Sequence, residues 1–140
     1  MSNSPARPKR GAPLVPLSWG DLFDKLTILE IKAQRLTAPQ ALDNVKRELA
    51  ALAQVVETLG VQPDKLAALK AELKAMNEKL WDIENGTRAK EAAKTFDQEF
   101  ISLTRSVYLN NDQRARIKRA INELLDSEIV EEKQYTSYSS

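Results

Sequence analysis

The sequence contains no cysteine and no histidine. The absence of cysteine excludes disulfides, thiolate metal sites and cysteine nucleophiles. The absence of histidine removes the commonest general base at neutral pH and the commonest metal ligand, so any acid–base chemistry would depend on carboxylates, lysine or tyrosine. The sequence also has no glycine-rich phosphate loop and no cluster of metal-ligand residues. We therefore expect no cofactor and no metal, and the composition weighs against an enzyme.

Long apolar runs and glycine are scarce as well. No apolar run approaches the roughly 18 residues of a membrane span, and the N-terminus lacks the apolar core of a secretory signal, which predicts a cytoplasmic protein. Only four of the 140 residues are glycine, 42% are apolar, and Ala, Leu, Lys and Glu are abundant. This composition favours helices over sheets, in a chain of single-domain length.

The chain divides into three parts. Residues 1–16 contain four prolines and predict a disordered basic leader, because proline forbids a helix interior. Residues 17–128 carry helical periodicity and form the predicted bundle domain, and residues 129–140 predict a frayed C-terminal tail. The net charge is +1, but three bases lie in the acid-free leader, which leaves 18 bases against 20 acids in the remainder. This folded part is poorly suited to bind nucleic acid.

Apolar residues repeat at spacings of three and four after the leader, as on one face of a helix. Ser18 can cap the first helix, with Asp21 placed as in a capping box. Pro39 and Pro63 each fall where a new helix places its first residue, and Gly60 can end the second helix. Three helices of about 20 residues, each roughly 30 Å long, are therefore predicted.

Two predicted helix breaks follow. Asn85-Gly86 indicates a stop for the third helix, with continuation to about Ala93 as the alternative. A fourth helix ends or kinks near Asn110-Asn111, and a fifth runs from there to about Ser127. We predict an all-α antiparallel bundle of four to five long helices with coiled-coil-like seams, because short links join the helices.

Four bases lie close together in the stretch RARIKRAIN. At about 100° per residue, Arg116 and Arg119 point into water, away from the apolar seam. Three other polar residues line one border of that seam: Arg114, Lys118 and Asn122. A cation at such a border is costly unless an acid or a ligand oxygen meets it. The alternatives are ion pairs between helices and a pocket that binds an anion or a partner.

Other polar or aromatic side chains also border the predicted seams. They are Asp24 and Glu30 on the first helix, Trp81 and Glu84 on the third, and Arg105 on the fourth. These acids are candidate partners for the border cations, and Trp81 can simply cover the end of the bundle. Ile101 and Tyr108 lie away from the seam of the fourth helix, which indicates a helix contacted on two sides, at the bundle centre or in a dimer.

Five motifs occur in one order along the chain. They are SWGDLFDKLTILEIK (18–32), LWDIE (80–84), FI followed by RSVY (100–108), NDQRARIKRAIN (111–122) and IVEEK (129–133). Together they resemble a bacterial family carried as a domain of unknown function, over nearly everything from residue 14 to 135. The chain departs from the family pattern at Asn85-Gly86, where an acidic pair is more usual, and at Thr104, where Ala is more usual.

The resemblance implies no reaction, because the family has none assigned. It implies an association with sugar-transfer and cell-envelope proteins. The motif positions of the family include most of the border residues. They also add Lys25 to the candidate binding residues. The full set of motif positions is Asp24, Lys25, Glu30, Lys32, Trp81, Glu84, Arg105, Tyr108, Asn111, Arg114, Lys118 and Asn122.

Two main functions are compatible with these observations. The first is a non-catalytic helical interaction or accessory module, with a protein partner or a second copy of itself, linked to bacterial envelope sugar metabolism. The alternative is a binding protein or enzyme for an anionic small molecule, phosphorylated or an acidic sugar, with Arg105, Arg114 and Lys118 on one wall and Trp81 on the other. Nucleic-acid binding through the leader and the two water-facing arginines is a third hypothesis.

Overall fold

In the computed structural model, which describes residues 10–138, the chain forms four helices. They are α1 (Trp19–Arg35), α2 (Pro39–Glu57), α3 (Asp64–Ala92) and α4 (Gln98–Leu124). No strand occurs within the described residues. The prediction of an all-α helical bundle is confirmed, with four helices. The first nine residues of the predicted leader lie outside the described part of the chain.

The starts of the helices follow the local sequence signals. The Ser18 side chain accepts a hydrogen bond from the backbone N–H of Asp21, at 3.1 Å, and so caps α1. Pro39 is the first residue of α2, and α3 begins one residue after Pro63. Gly60 follows α2 with a φ of 66°, a left-handed conformation that glycine adopts without strain.

The predicted stop at Asn85-Gly86 is wrong, and the alternative of a longer third helix is correct. The Thr87 hydroxyl donates to the carbonyl of Ile83, at 2.8 Å, so this residue lies inside α3 instead of capping a new helix. A Cβ on Gly86 would lie 3.3 Å from the Leu103 side chain of α4. Packing of α4 against α3 therefore outweighs the weak helix propensity of this turn sequence.

The predicted break at Asn110-Asn111 is also wrong, because α4 continues through both residues. The Asn110 side chain donates to the Ser106 carbonyl one turn earlier, at 2.7 Å, and so its buried amide finds a partner within the helix. Asp97 caps α4 by accepting from the N–H of Phe100, at 3.0 Å. The predicted fourth and fifth helices are therefore one helix, which presents its polar residues along a single continuous axis.

The first helix is the centre of the bundle. α1 packs against each of the other three helices, and α3 also packs against α4. The buried core cluster consists of Phe23, Leu26, Leu66, Leu73, Ile117 and Ile121. Because α1 is enclosed in this way, polar residues that flank its apolar face meet side chains of α3 and α4. The coiled-coil character of the seams stays a prediction.

The N-terminal end of α1 lies directly against the C-terminal part of α4. The N–H of Gly20 donates to the Asn122 side-chain oxygen, at 2.6 Å, and a Cβ on Gly20 would lie 2.5 Å from the carbonyl oxygen of Lys118. The Trp19 N–H donates to the Ser127 hydroxyl, at 3.2 Å. This crossing fixes α1 on α4 and sets the point from which the chain continues after α4.

The residues after α4 run without regular secondary structure but contact the helix. We call residues 129–138 the C-terminal segment. Glu131 pairs with Lys118 near one end, and at the other end the Tyr138 ring packs edge-on against Tyr108, with ring centroids 5.3 Å apart. The described part of the predicted frayed tail is therefore docked on α4.

Candidate functional site

The border cation Lys118 is neutralised by acids of the protein itself. Its Nζ lies 2.7 Å from a carboxylate oxygen of Asp21 and 2.8 Å from one of Glu131, and the side chain is only 10% exposed. The first alternative, an internal ion pair, therefore holds for Lys118. Its two partners come from the first turn of α1 and from the C-terminal segment, not from the acids that the sequence suggested.

Electrostatics keep this ion pair charged. Burial alone would lower the pKa of Lys118, but hydrogen bonds to Asp21 and Glu131 outweigh burial and raise the pKa above its usual 10.5. Burial alone would raise the pKa of Asp21, but the hydrogen bond from Lys118 and its positive charge hold that pKa below its usual 3.8. The ammonium and the carboxylate are therefore both ionised around neutral pH, and they tie the C-terminal segment to α1 and α4.

The border cation Arg114 has a different environment. Its Nη1 donates to the side-chain oxygen of Asn77, a neutral group, at 3.2 Å. Within residues 10–138, no carboxylate lies within 4.0 Å of its guanidinium nitrogens. The half-buried guanidinium therefore has no direct carboxylate partner among the described residues.

A buried polar network stands behind Arg114. The side-chain N–H2 of Asn77 donates to a carboxylate oxygen of Asp24, at 2.9 Å, and to the Thr27 hydroxyl, at 3.0 Å. The Thr27 hydroxyl in turn donates to the backbone carbonyl of Asp24, at 2.9 Å. Asn77 is only 5% exposed. The predicted site residues Asp24 and Arg114 are thus linked, but through an intervening amide.

Arg114 lies on the wall of a cleft of about 680 Å³ between α4 and the C-terminal segment. We call it the tyrosine cleft, because all three tyrosines of the sequence line it. Its lining residues are Tyr108, Asn111, Asp112, Arg114, Lys133, Tyr135, Thr136 and Tyr138. The cleft combines aromatic rings, two cations, one carboxylate and neutral hydrogen-bonding groups.

The single carboxylate of the tyrosine cleft, that of Asp112, accepts a hydrogen bond from a neighbouring phenol. The Tyr138 hydroxyl donates to Asp112, and this hydrogen bond raises the pKa of Tyr138 above its usual 10.0. The other cation of the cleft, Lys133, lies 3.5 Å from Glu131 of its own segment. Within the described residues, Arg114 is therefore the cleft cation that no acid neutralises.

The C-terminal segment separates the tyrosine cleft from two other hollows. A larger cleft of about 1020 Å³ shares five lining residues with it, namely Asp112, Lys133, Tyr135, Thr136 and Tyr138. A notch of about 170 Å³ around Lys118 shares only Lys133. The segment thus touches α4 at its two ends and leaves space on both sides between them. The shape of the tyrosine cleft depends on this segment staying docked.

Most other predicted site residues lie elsewhere in pairs. Trp81 packs with the guanidinium of Arg35, 5.8 Å from its ring centroid. The remaining pairs, with their separations, are Glu84 with Arg88 at 2.7 Å, Glu30 with Lys70 at 3.4 Å and Lys25 with Glu48 at 3.1 Å. Asn122 accepts from Gly20, as described above. None of these residues lines the tyrosine cleft.

Arg105 lies at the rim of the cleft. Its Nε donates to the hydroxyl of Tyr108, at 3.5 Å, and the side chains are exposed. Tyr108 and Arg114 therefore line one hollow, and Arg105 contacts it through Tyr108 without lining it. The continuity of α4 is the reason, since a break at Asn110-Asn111 would have separated these residues.

The sequence interpretation missed the side of the cleft that the C-terminal segment supplies. Lys133, Tyr135 and Tyr138 lie in a stretch whose polar composition predicted a frayed tail. One signal was present, because two of the three tyrosines of the protein lie in that short polar stretch. Large aromatic side chains are seldom left without a contact surface.

Two further structural observations concern the described residues as a whole. No helix among them has a stretch long and apolar enough to span a membrane. No group of three or more acidic side chains among them is arranged to hold a metal ion.

The fold and the cleft define a small all-helical protein with a mixed aromatic and cationic hollow beside its last helix. The chain belongs to the family of unknown function DUF6165, whose model matches residues 14–140. No curated protein and no solved structure matches the chain. The family match confirms the expectation that the chain belongs to a family of unknown function. The matched range includes the whole C-terminal segment.

Proposed function

We propose that this protein binds an anionic small molecule, a phosphorylated or acidic sugar-like compound, in the tyrosine cleft. The observation that carries the proposal is the cation of Arg114, which is half-buried on the cleft wall and, within residues 10–138, is paired only with a neutral amide. A guanidinium in such a place is stabilised when a ligand oxygen meets it, and its planar fork suits phosphate and carboxylate groups.

The remaining lining supports a ligand with a ring. Tyrosine faces offer apolar surface for a sugar or another ring, while Asn111 and Thr136 offer hydrogen bonds to hydroxyl groups. The cleft volume of about 680 Å³ falls within the range of small-molecule sites. Arg105, which contacts Tyr108, adds a third cation beside the cleft. The proposal assigns binding and no reaction.

The test is an NMR titration of the full-length, ¹⁵N-labelled chain with glucose 1-phosphate, glucuronate and glucose. We expect the two anionic probes to shift the amide signals of Tyr108, Asn111 and Tyr138, with an affinity that falls as salt is added. Glucose, which lacks charge, is expected to bind at least about tenfold more weakly.

The matched variants are Arg114→Gln and Arg88→Gln. The first removes the cleft cation, and the second removes an exposed arginine that pairs with Glu84. We expect only Arg114→Gln to weaken binding, by about tenfold or more, since charge-assisted bonds contribute about 1.5–3 kcal/mol. Absence of cleft shifts with both anionic probes up to about 10 mM, or equal losses in the two variants, would contradict the proposal.

A second candidate function is the helical interaction module, and a specific surface favours it. Arg35, at the end of α1, contacts Asp82 of α3, and α3 continues about ten residues, or roughly 15 Å, beyond that contact. Phe96, in the connection between α3 and α4, is 55% exposed, and Ile101, in the first turn of α4, is 46% exposed. We call the end of α3 beyond Asp82, together with the connection to α4 and the first turn of α4, the projection. Exposed apolar side chains on this projection suit a contact with another protein or with a second copy of the chain.

We propose that two copies of the chain associate through this projection. We also propose that the protein is a cytoplasmic bacterial protein linked to envelope sugar metabolism. Sedimentation of the wild type is expected to show a dimer at high micromolar concentration. The double variant Phe96→Ser and Ile101→Ser is expected to be monomeric, and Val55→Ser and Val61→Ser, which alter two other exposed apolar residues, is the control. A wild-type chain that stays monomeric would contradict self-association.

A further inference from the structure

We propose that Asn77 determines the charge preference of the tyrosine cleft, with Asp24 as the residue that orients it. Asn77 seats the guanidinium of Arg114 without neutralising it, and so leaves the cleft selective for anions over neutral ligands. Both are positioning residues, because neither lines the cleft and each acts through Arg114. The inference rests on the proposed function and names the residues that set its specificity.

The geometry allows only one orientation of the Asn77 amide. Its N–H2 group donates to the Asp24 carboxylate and to the Thr27 hydroxyl, at 2.9 and 3.0 Å. Its oxygen therefore points the other way and accepts from Arg114, at 3.2 Å. A flipped amide would place its oxygen against the Asp24 carboxylate, acceptor against acceptor, and its N–H2 against the Arg114 guanidinium, donor against donor. Both contacts would be repulsive. Asp24 thus fixes the face that Asn77 offers to Arg114.

The identity of residue 77 matters because of charge. A carboxylate in this place would pair with Arg114, as Asp21 and Glu131 pair with Lys118 a turn further along α4. Because these two carboxylates balance its charge, Lys118 attracts an anionic ligand only weakly. A neutral amide holds the guanidinium in place by a hydrogen bond but does not cancel its charge, so the field of Arg114 extends into the cleft.

The charge of Asp24 also acts on Lys118. Asp24 lies close enough to Lys118 to contribute to the raised pKa of that amine. The Asn77 side chain lies between Asp24 and Arg114 and contacts both. The network therefore places the acid Asp24 near Lys118 and the amide of Asn77 against Arg114. Lys118 takes part in a structural ion pair, whereas Arg114 stays available to a ligand.

The sharpest test exchanges the two side chains, with Asp24→Asn and Asn77→Asp in one variant. The exchange keeps the net charge of the protein and the acid–amide hydrogen bond, but it moves the carboxylate next to Arg114. We expect the affinity for glucose 1-phosphate to fall by about tenfold or more while that for glucose stays within about twofold, so that the preference for the anion is lost. Asn85→Asp, an exposed position on α3, controls for a simple amide-to-acid change.

The outcomes separate the inference from the function on which it rests. If the wild type binds the anionic probes and the exchanged variant binds them equally well, the positioning inference is overturned and the proposed function stands. If the wild type binds neither glucose 1-phosphate nor glucuronate, the proposed function fails and the inference falls with it.

A second variant covers the case in which the exchanged protein does not fold. Asn77→Ser removes the amide that seats Arg114 without adding a charge. We expect NMR relaxation of the Arg114 side-chain nitrogens to show a more mobile guanidinium, together with weaker binding of glucose 1-phosphate. An Arg114 side chain as rigid as in the wild type, with unchanged affinity, would overturn the inference.

Discussion

The carbonyl oxygen of Lys118 lies 2.5 Å from the position that a Cβ atom on Gly20 would occupy. Two helix backbones approach this closely only where one of them lacks a side chain. The contact places the first turn of α1 on α4, where Asp21 reaches the Lys118 ammonium at 2.7 Å. The absence of one methyl group thus permits the ion pair that anchors the C-terminal segment.

Gly20→Ala is expected to destabilise the protein, because the added methyl would meet backbone and not a movable side chain. Overpacking of this kind costs about 1–3 kcal/mol. The Gly20 N–H would also move away from the Asn122 oxygen, which it meets at 2.6 Å. The free energy of unfolding from urea denaturation measures the loss.

Gly86→Ala is the matched control. Its Cβ would lie 3.3 Å from the end of the Leu103 side chain, which can rotate, and Gly86 is inside α3. Since alanine is about 1 kcal/mol better than glycine in a helix interior, this variant is expected to be as stable as the wild type or slightly more stable. Equal losses in both variants would show that α1 and α4 do not cross as closely as described.

Lys118→Met is expected to loosen the C-terminal segment. The substitution leaves the Asp21 carboxylate without its cation and leaves Glu131 with Lys133 alone, at 3.5 Å, and both acidic side chains are only about 30% exposed (29% and 32%). We expect a loss of about 1–3 kcal/mol, below the value for a fully buried pair because solvent screens the two acids. Limited proteolysis within residues 129–138 should become faster in the variant.

Arg119→Met provides the comparison for that experiment. Arg119 pairs with Glu123 and Glu132, but its side chain is 53% exposed. Exposed ion pairs contribute little, so stability is expected to change by less than about 0.5 kcal/mol and proteolysis by very little. Faster cleavage in both variants alike would mean that Lys118 has no special part in docking the segment.

The pH dependence of stability should report the Asp21–Lys118 pair. The pKa of Asp21 lies below its unfolded value of 3.8, so its contribution is fully present above that pH and is lost as the pH falls through the lowered value. The pKa of Lys118 lies above 10.5, so its contribution is fully present below that pH and is lost as the pH rises through the raised value.

Asp21→Asn isolates the acid limb of this dependence. The difference in unfolding free energy between wild type and variant is expected to be constant from about pH 5 to pH 10 and to shrink below pH 3.8. Asp43→Asn, at an exposed position of α2, should differ from the wild type by less than about 0.5 kcal/mol at neutral pH. A difference for Asp21→Asn that grows as the pH falls would contradict the ion pair.

The sequence predicted the helices well where their signals are local. Ser18 caps α1 and Pro39 opens α2, because a cap or a first turn depends only on neighbouring residues. The breaks at Asn85-Gly86 and Asn110-Asn111 were wrong, because there the packing of α3 against α4 decides, and turn propensity is the weaker effect.

The candidate site was predictable only in part, for a geometric reason. Rotation along one helix identifies border residues such as Arg114 and Lys118, but it does not show which helix faces them. The partners of Lys118 come from α1 and from beyond α4, and Arg114 meets an amide of α3. The aromatic wall likewise came from the C-terminal segment and not from Trp81, because an irregular segment has no periodicity from which its contacts can be inferred.

The last prediction concerns the end of the C-terminal segment. The hydrogen bond from Tyr138 to Asp112 favours the neutral phenol, so the pKa of Tyr138 lies above 10.0 in the folded protein. The stabilisation from this contact is present below pH 10.0 and is lost as the pH rises through the raised value, so the segment end should detach in strong alkali.

Alkaline titration followed by tyrosinate absorbance can measure this ionisation. Subtracting the curve of Tyr138→Phe from that of the wild type isolates Tyr138, and the same subtraction in an Asp112→Asn background should give a lower pKa, because the acceptor carboxylate is gone. Asp126→Asn, an acid beyond the end of α4, is the control and should leave the Tyr138 curve in place. If Tyr138 titrates identically with and without the Asp112 carboxylate, the two residues are not in contact in solution, and the tyrosine cleft lacks the wall that Tyr138 gives it.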